Sequence, residues 1–318
     1  MISFLPLASK VFMFALLAVP GFVLQKKDLI SQSALTSFTN ILMYVAMPFL
    51  VFNKLCETNL LLLGVFDLFF CLIFTVFAVF FAFFLSRLLF KKRSQNRSRV
   101  AVFCATFSNC GFLGIPLTAY LFPESPQITV FISIYNVVST FLLLTLGVYS
   151  LSGDKKHVNF FKACVSPVGI AVVLGVVVSL SGLGEKMPWM GEYSSILASL
   201  TLPLSMIVLG SELSKISFKS MLLEKDVYLC SVFKLVLLPM VTILILFCLK
   251  LFGVVLSAPL MSAAVIATAL STAASASAMA KKYSLDSEYA SSLTLSNTLL
   301  CALTFPLLYL LAVRFLGL

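Results

Sequence analysis

The residues of this chain best suited to chemistry are amides, hydroxyls and helix-breaking residues set inside apolar runs. The stretch ATFSNCGFLGIPLTAYLFP places Asn109, Gly111, Gly114 and Pro116 within eight residues. Pro116 withdraws a backbone donor and its ring clashes with a preceding carbonyl, while the two glycines accept broken dihedrals and close approach. A helix interrupted there exposes amide and carbonyl ends that can bind an anion or coordinate a cation. A kinked packing helix with glycine contacts is the competing reading. The stretch VIATALSTAASASAMAKKY lacks proline and glycine but offers the hydroxyls of Ser271, Thr272, Ser275 and Ser277, among alanines that let a second helix cross closely. Tight packing alone accounts for it almost as well.

Asn109, Asn136 and Asn297 stand well inside apolar runs. A buried amide costs free energy unless it is partnered, so all three are expected to face the protein interior, as a site or as interhelical hydrogen bonds. Charged groups inside the runs are few. Asp67 could carry a coupling proton once desolvated. Lys234 could attract an anionic substrate, or reach with its stem to the interface. Glu212 closes an apolar run and reads as interfacial.

The elements that must position these residues are helices in lipid. The 318 residues are 61% hydrophobic and only 11% charged, and the mean hydropathy is +1.10. A soluble domain sits near 45–50% apolar and about 25% charged. A helix needs about 20 residues to span a hydrocarbon core of about 30 Å. Apolar runs recur at 4–24, 34–55, 61–86, 100–122, 128–150, 160–182, 194–213, 228–250, 259–280 and 289–313, which predicts ten spans and leaves no room for a soluble domain. Unbroken runs, rather than ten-residue alternation, exclude a β-barrel. The first run lacks a basic start and a cleavage site, so it reads as a spanning helix rather than a removable signal.

Sixteen of the 22 basic residues fall in alternate connections: Lys26 and Lys27; Arg87 to Arg99; Lys155, Lys156 and Lys162; Lys215, Lys219 and Lys225; Lys281 and Lys282. The positive-inside rule puts these connections in the cytoplasm and both termini outside. The net charge of +10 therefore reads as topology, and nucleic acid is not an expected partner. The basic run 91–99 reads as an anchor on anionic headgroups. Eight cysteines without a CxxC pair, and a single histidine, argue against a metal centre or disulfide framework. No cofactor is expected. The chain has no HExxH motif, paired in-span aspartates or serine–histidine arrangement, and it reads as no enzyme. Nor is there a GxxxxGKS/T motif for direct use of ATP.

The two halves echo one another. Asn136 in YNVVSTFLLLTLG answers Asn297 in SNTLLCALTFPLLYL, and Pro48 in YVAMPFLVFNKL answers Pro203 in SLTLPLSMIVLGSEL. Five spans per half start the second half on the opposite side of the membrane, as in an inverted repeat. The motifs SNCGFLGIPL, YVAMPFLVF, LPLSMIVLGSEL and AKKYSLDSEYASSLTLSNTLLCALTFPLL, in this order and spacing, resemble the auxin efflux carrier family, whose bacterial members include malate and malonate permeases. The resemblance implies an all-α membrane fold of ten helices in two inverted repeats, 1–155 and 156–318, related to bile acid/sodium symporters and sodium/proton antiporters. It also implies a scaffold of spans one, two, six and seven, and a core of spans three to five and eight to ten. Substrate would lie where the discontinuous fourth and ninth spans cross, at Asn109, Gly111, Gly114 and Pro116, flanked by Asn136 and Asn297.

Family members often carry proline and asparagine at the ninth-span crossover, where this chain has Leu270, Ser271, Thr272, Ala273, Ala274 and Ser275. A less sharply broken second crossover is therefore expected. The compact connections 87–99 and 151–159 leave no place for the large loop of long plant carriers, so auxin is a poor default substrate. The expected function is secondary transport of a small organic anion, such as the dicarboxylates malate or malonate, by alternating access in the inner or plasma membrane. The alternatives are an uncoupled uniporter and a non-transporting sensor on the same fold. Expected partners are the anion, a proton or sodium ion, and membrane lipids; monomer and homodimer are both open.

Overall fold

The computed structural model describes residues 4–58, 63–158, 165–214 and 224–318. Cys164 and three of the basic residues counted above, Lys162, Lys215 and Lys219, lie outside them. Among the described residues the regular structure is helical, apart from one isolated antiparallel bridge between Ser108 and Thr272. The helices are α1 Phe4–Leu16, α2 Val19–Lys26, α3 Gln32–Glu57, α4 Val65–Leu89, α5 Gln95–Thr106, α6 Cys110–Leu121 and α7 Pro126–Ser152. They continue with α8 Pro167–Ser181, α9 Pro188–Leu213, α10 Lys225–Leu251, α11 Ala258–Ala269, α12 Ala276–Lys282 and α13 Ser287–Gly317.

Seven described helices are long and apolar enough to cross a membrane: Ser9–Lys26 across α1 and α2, then α3, α4, α7, α9, α10 and α13. Three apolar helices, α6, α8 and α11, are shorter. The protein is thus an all-α, multi-pass membrane protein. The first apolar run, expected to be one continuous helix, breaks at Leu17–Ala18. Pro20 explains the break, because it cannot donate to the carbonyl of Leu16.

The outward surface is what lipid requires. On α4, Phe66, Phe69, Ile73, Phe77, Phe80, Phe84 and Leu88 form a stripe at three- and four-residue spacing, with Ile73 67% and Leu88 70% exposed. A continuous apolar stripe of this length is not left open to water in a soluble monomer.

Proline shapes the helices from within. Wide π-turns at Leu42–Ala46, Cys110–Gly114 and Phe233–Leu237 each end two residues before a proline: Pro48, Pro116 and Pro239. A proline ring clashes with the carbonyl four residues back. Here those carbonyls belong to Tyr44, Phe112 and Leu235, all inside the π-turns, where the wider coil makes room. Two further π-turns, Leu143–Gly147 and Val313–Gly317, have no proline after them within a turn, and nothing in the structure explains them.

Two packing groups result. α8 and α9 pack on α3, and α9 packs on α2. The α2–α9 contact is backbone on backbone: a Cβ on Gly21 would lie 2.2 Å from the Ile207 carbonyl oxygen, and one on Gly210 would lie 1.9 Å from that of Ala18. Small residues let helices approach this closely in membranes. The other group gathers α4, α7, α10, α11 and α13 around the short helices α5, α6 and α12.

Candidate functional site

α5 ends at Thr106 because Phe107 turns into extended backbone, with φ −92° and ψ 125°. α11 ends at Ala269 in the same way, Leu270 having φ −71° and ψ 156°. The two extended pieces cross and pair antiparallel. The Asn109 amide donates to the Ser271 carbonyl at 2.8 Å, and the Ala273 amide donates to the Phe107 carbonyl at 2.9 Å. Interruption in an apolar interior would orphan these backbone groups, and the crossing satisfies them against each other.

Side chains pin the second interruption. Thr272 Oγ1 donates to the Cys104 carbonyl at 2.8 Å, and Asn297 Nδ2 donates to Thr272 Oγ1 at 2.8 Å. Ser231 Oγ, on α10, donates to Asn297 Oδ1 at 2.6 Å. The expectation of a softer second break is therefore corrected. Residues 270–275 are all non-helical, a longer gap than 107–109 between α5 and α6. Partners in space hold it open where proline would have done so locally.

The structure brings most of the expected residues to this crossing. Gly114 lets α6 lie on Leu270, whose Cδ1 would be 2.7 Å from a Cβ there. Gly111 faces Asn136, whose Oδ1 would be 3.4 Å from its Cβ. Pro116 is buried in the first α-turn after the π-turn of α6. Ser275 precedes α12 without a capping side-chain bond.

The three asparagines differ in state. Asn297 is fully buried, with hydrogen bonds at both its amide nitrogen and its oxygen. Asn136 is half-buried and makes no hydrogen bond with another described residue. Asn109 is 3% exposed, yet its Nδ2 has no partner among the described residues, and the fully buried Ser271 Oγ has none among them either. The crossing thus holds unused donors.

Lys234 sits in the π-turn of α10, 1% exposed. Its Nζ donates to the Thr106 carbonyl at 3.2 Å and to Ser108 Oγ at 2.8 Å. None of the ion pairs among the described residues involves it. It does not snorkel; it ends at the crossing. Asp67 is buried in the first turn of α4, about two turns before Phe74, which shares a cleft with Lys234. Glu212 lies one residue before the end of α9, beside Ser211, which donates to the Gly21 carbonyl. Asp67 has no hydrogen bond or ion pair with the crossing residues.

One recess touches the crossing and a second lies on other helices. A cleft of about 20 Å³ touches Thr106, Ser108 and Lys234 and is otherwise lined from α4, α7, α10 and α11. An apolar cavity of about 120 Å³ lies between α1, α6, α9 and α13, with Leu113, Leu117, Met206 and Phe305 among its walls.

Sequence reasoning passed over Ser108, Ser231 and the Thr106 carbonyl. It also passed over an ionic cluster at one end of the second packing group. There Arg93 bonds Asp226 at 2.7 Å through Nε, and Tyr289 donates to the other Asp226 oxygen at 2.9 Å. Arg97 meets Glu224 through two bonds and stacks over Tyr289. The hydrogen bond that Arg93 donates to the Asp226 carboxylate raises the guanidinium above its ordinary pKa.

No curated protein matches the chain. A family model described as membrane transport protein matches residues 6–161 and 150–309, nearly the whole length. With a multi-pass helical fold and a polar crossing buried inside it, the chain belongs to the membrane transport protein family, that of the auxin efflux carriers.

Proposed function

We propose that this protein is a secondary transporter that carries a small organic anion by alternating access, with the crossing of 107–109 and 271–273 as its binding site. One observation carries the reading: among the described residues the Asn109 Nδ2 donor and the Ser271 hydroxyl are buried without partners, and the charge that reaches the crossing is the Lys234 ammonium. A positive charge in a low-dielectric interior, beside a free amide donor and a hydroxyl able to donate, favours a ligand that is an acceptor and negative. The half-buried Asn136 supplies a further amide. The choice of an organic anion such as malate or malonate rests on the resemblance to the auxin efflux carrier family, whose bacterial members include malate and malonate permeases.

Ten spans follow when α5–α6 and α11–α12 each count as one interrupted span, α1–α2 as another and α8 as a short one. The two packing groups then correspond to a scaffold of spans one, two, six and seven and a core of the rest, arranged as inverted repeats 1–155 and 156–318. The ionic cluster joins the connection 90–97, the start of α10 and the start of α13 at one end. This supports placing the basic connections on one side, the cytoplasmic one, with the termini outside a plasma or inner membrane. Rocking of core against scaffold would expose the crossing to each side in turn.

The test is uptake by sealed liposomes of labelled malate, malonate, succinate, lactate and indole acetate, with proton and sodium gradients imposed separately. Saturable uptake of an anion supports the reading. Saturable binding without uptake, in vesicles holding folded protein, would make the protein a sensor on this fold.

A further inference from the structure

A buried ammonium held only by neutral oxygens is an unusual arrangement. Burying a charge is costly unless it is paired, and Lys234 has no carboxylate partner among the described residues. Its two acceptors are the carbonyl of the last residue of α5 and the adjacent Ser108 hydroxyl. The C-terminal end of a helix carries a partial negative charge of about half a unit. A carbonyl at such an end, with a hydroxyl beside it, is the ligand chemistry that selects a hard monovalent cation.

The second C-terminal end at the crossing is served differently. The Ala269 carbonyl accepts from the Cys301 thiol at 3.5 Å, and the Ala267 carbonyl from Cys110 at 4.0 Å. One cation therefore serves the pair of interruptions. The cleft beside Lys234, about 20 Å³, has room for no more than one water-sized particle. It shares no helix with the apolar cavity between α1, α6, α9 and α13.

We propose that Lys234 is a tethered cation: its ammonium occupies the place a free monovalent cation would take behind the crossing. From there it holds 106–108, and through them Asn109, in the binding arrangement. Because the cation is on a stem, it neither enters nor leaves during a cycle. Transport then needs no co-transported metal ion. Lys234 is a positioning residue, and this inference rests on the transport reading only where uptake is the readout.

Shortening the side chain should leave a vacant site of the same ligands. In liposomes, wild-type uptake should be equal within about twofold in sodium, potassium and N-methylglucamine media. Lys234→Ala should be slow in N-methylglucamine and be stimulated roughly fivefold or more, saturably, by sodium, potassium, ammonium or methylammonium, a typical coupling between two sites. Lys234→Met fills the space without a charge and should not be rescued.

The same cations should raise the melting temperature of purified Lys234→Ala and leave that of the wild type unchanged. This arm reads the cation site even if no compound on the panel is transported. Sodium-dependent wild-type uptake would overturn the proposal. So would a Lys234→Ala protein whose melting and uptake ignore every cation, or one that fails to fold in all of these salts.

Discussion

Replacing Asn109 with leucine should make the protein more stable and a worse transporter at once. Asn109 Nδ2 is buried without a partner among the described residues, and a donor in that state costs about 1–3 kcal/mol. Leucine keeps the forked shape of the asparagine side chain with methyl groups in place of the amide atoms, and the backbone amide at 109 still reaches the Ser271 carbonyl. Its φ of −81° and ψ of 56° strain no side chain, and the asparagine makes no capping bond that would be lost. Removing the unpaired donor should therefore add about 1 kcal/mol, or a rise of about 1.5 °C in the melting temperature.

The opposite sign is expected for binding. A hydrogen bond to a charged ligand contributes about 1.5–3 kcal/mol, which is about 10- to 100-fold in affinity. Thermal unfolding of the purified protein and the concentration dependence of uptake in liposomes read the two effects separately. A less stable Asn109→Leu protein with an unchanged KM would show that the amide is structural, and the donor argument for an anion would fail with it.

Asn297→Leu should behave in the reverse way. It removes the acceptor of Ser231 and the donor to Thr272, so the melting temperature should drop, by the equivalent of about 1–3 kcal/mol. Gly210→Ala forces α2 and α9 apart, since its Cβ would lie 1.9 Å from the Ala18 oxygen and 2.8 Å from the Phe22 nitrogen. The cost should be about 1–3 kcal/mol, whereas Gly191→Ala, with nothing within 4 Å of its Cβ, should melt at or slightly above the wild-type temperature. In the ionic cluster, Arg93→Ala and Asp226→Asn should be coupled by about 1 kcal/mol in a double-mutant cycle, a value discounted because Arg93 is 40% exposed. Additive melting shifts would dissolve the pair.

How much of this could be read from the chain depended on whether the signal was local. The first interruption was legible because Gly111, Gly114 and Pro116 act on the backbone they belong to. The second was not. Its gap is set by Phe107 and Asn109, more than 160 residues upstream, and by Asn297 downstream, so a proline-free stretch gave the wrong expectation of a softer break. Lys234 was visible as an in-span charge. Its destination was hidden, because backbone carbonyls have no sequence signature and the π-turn changes which face of α10 it occupies. Arg93 read only as part of a basic connection and Asp226 drew no reading at all, and only folding makes them a pair. Pro20 was in plain view, and the break between α1 and α2 follows from it.

A π-turn is an α-helix carrying one surplus residue. Since each residue turns an α-helix by about 100°, the parts of α10 on either side of 233–237 are out of phase by that angle. The helix therefore presents one stripe to α13, through Cys230 and Ser231, and a differently aimed stripe toward α4, through Leu238 and Thr242. Deleting one residue from this turn would restore a regular coil and swing everything beyond it around the axis. Insertions and deletions of a single residue should be poorly tolerated along these helices except inside the π-turns. There, loss of one residue would preserve the helix while exchanging the partners of its far half.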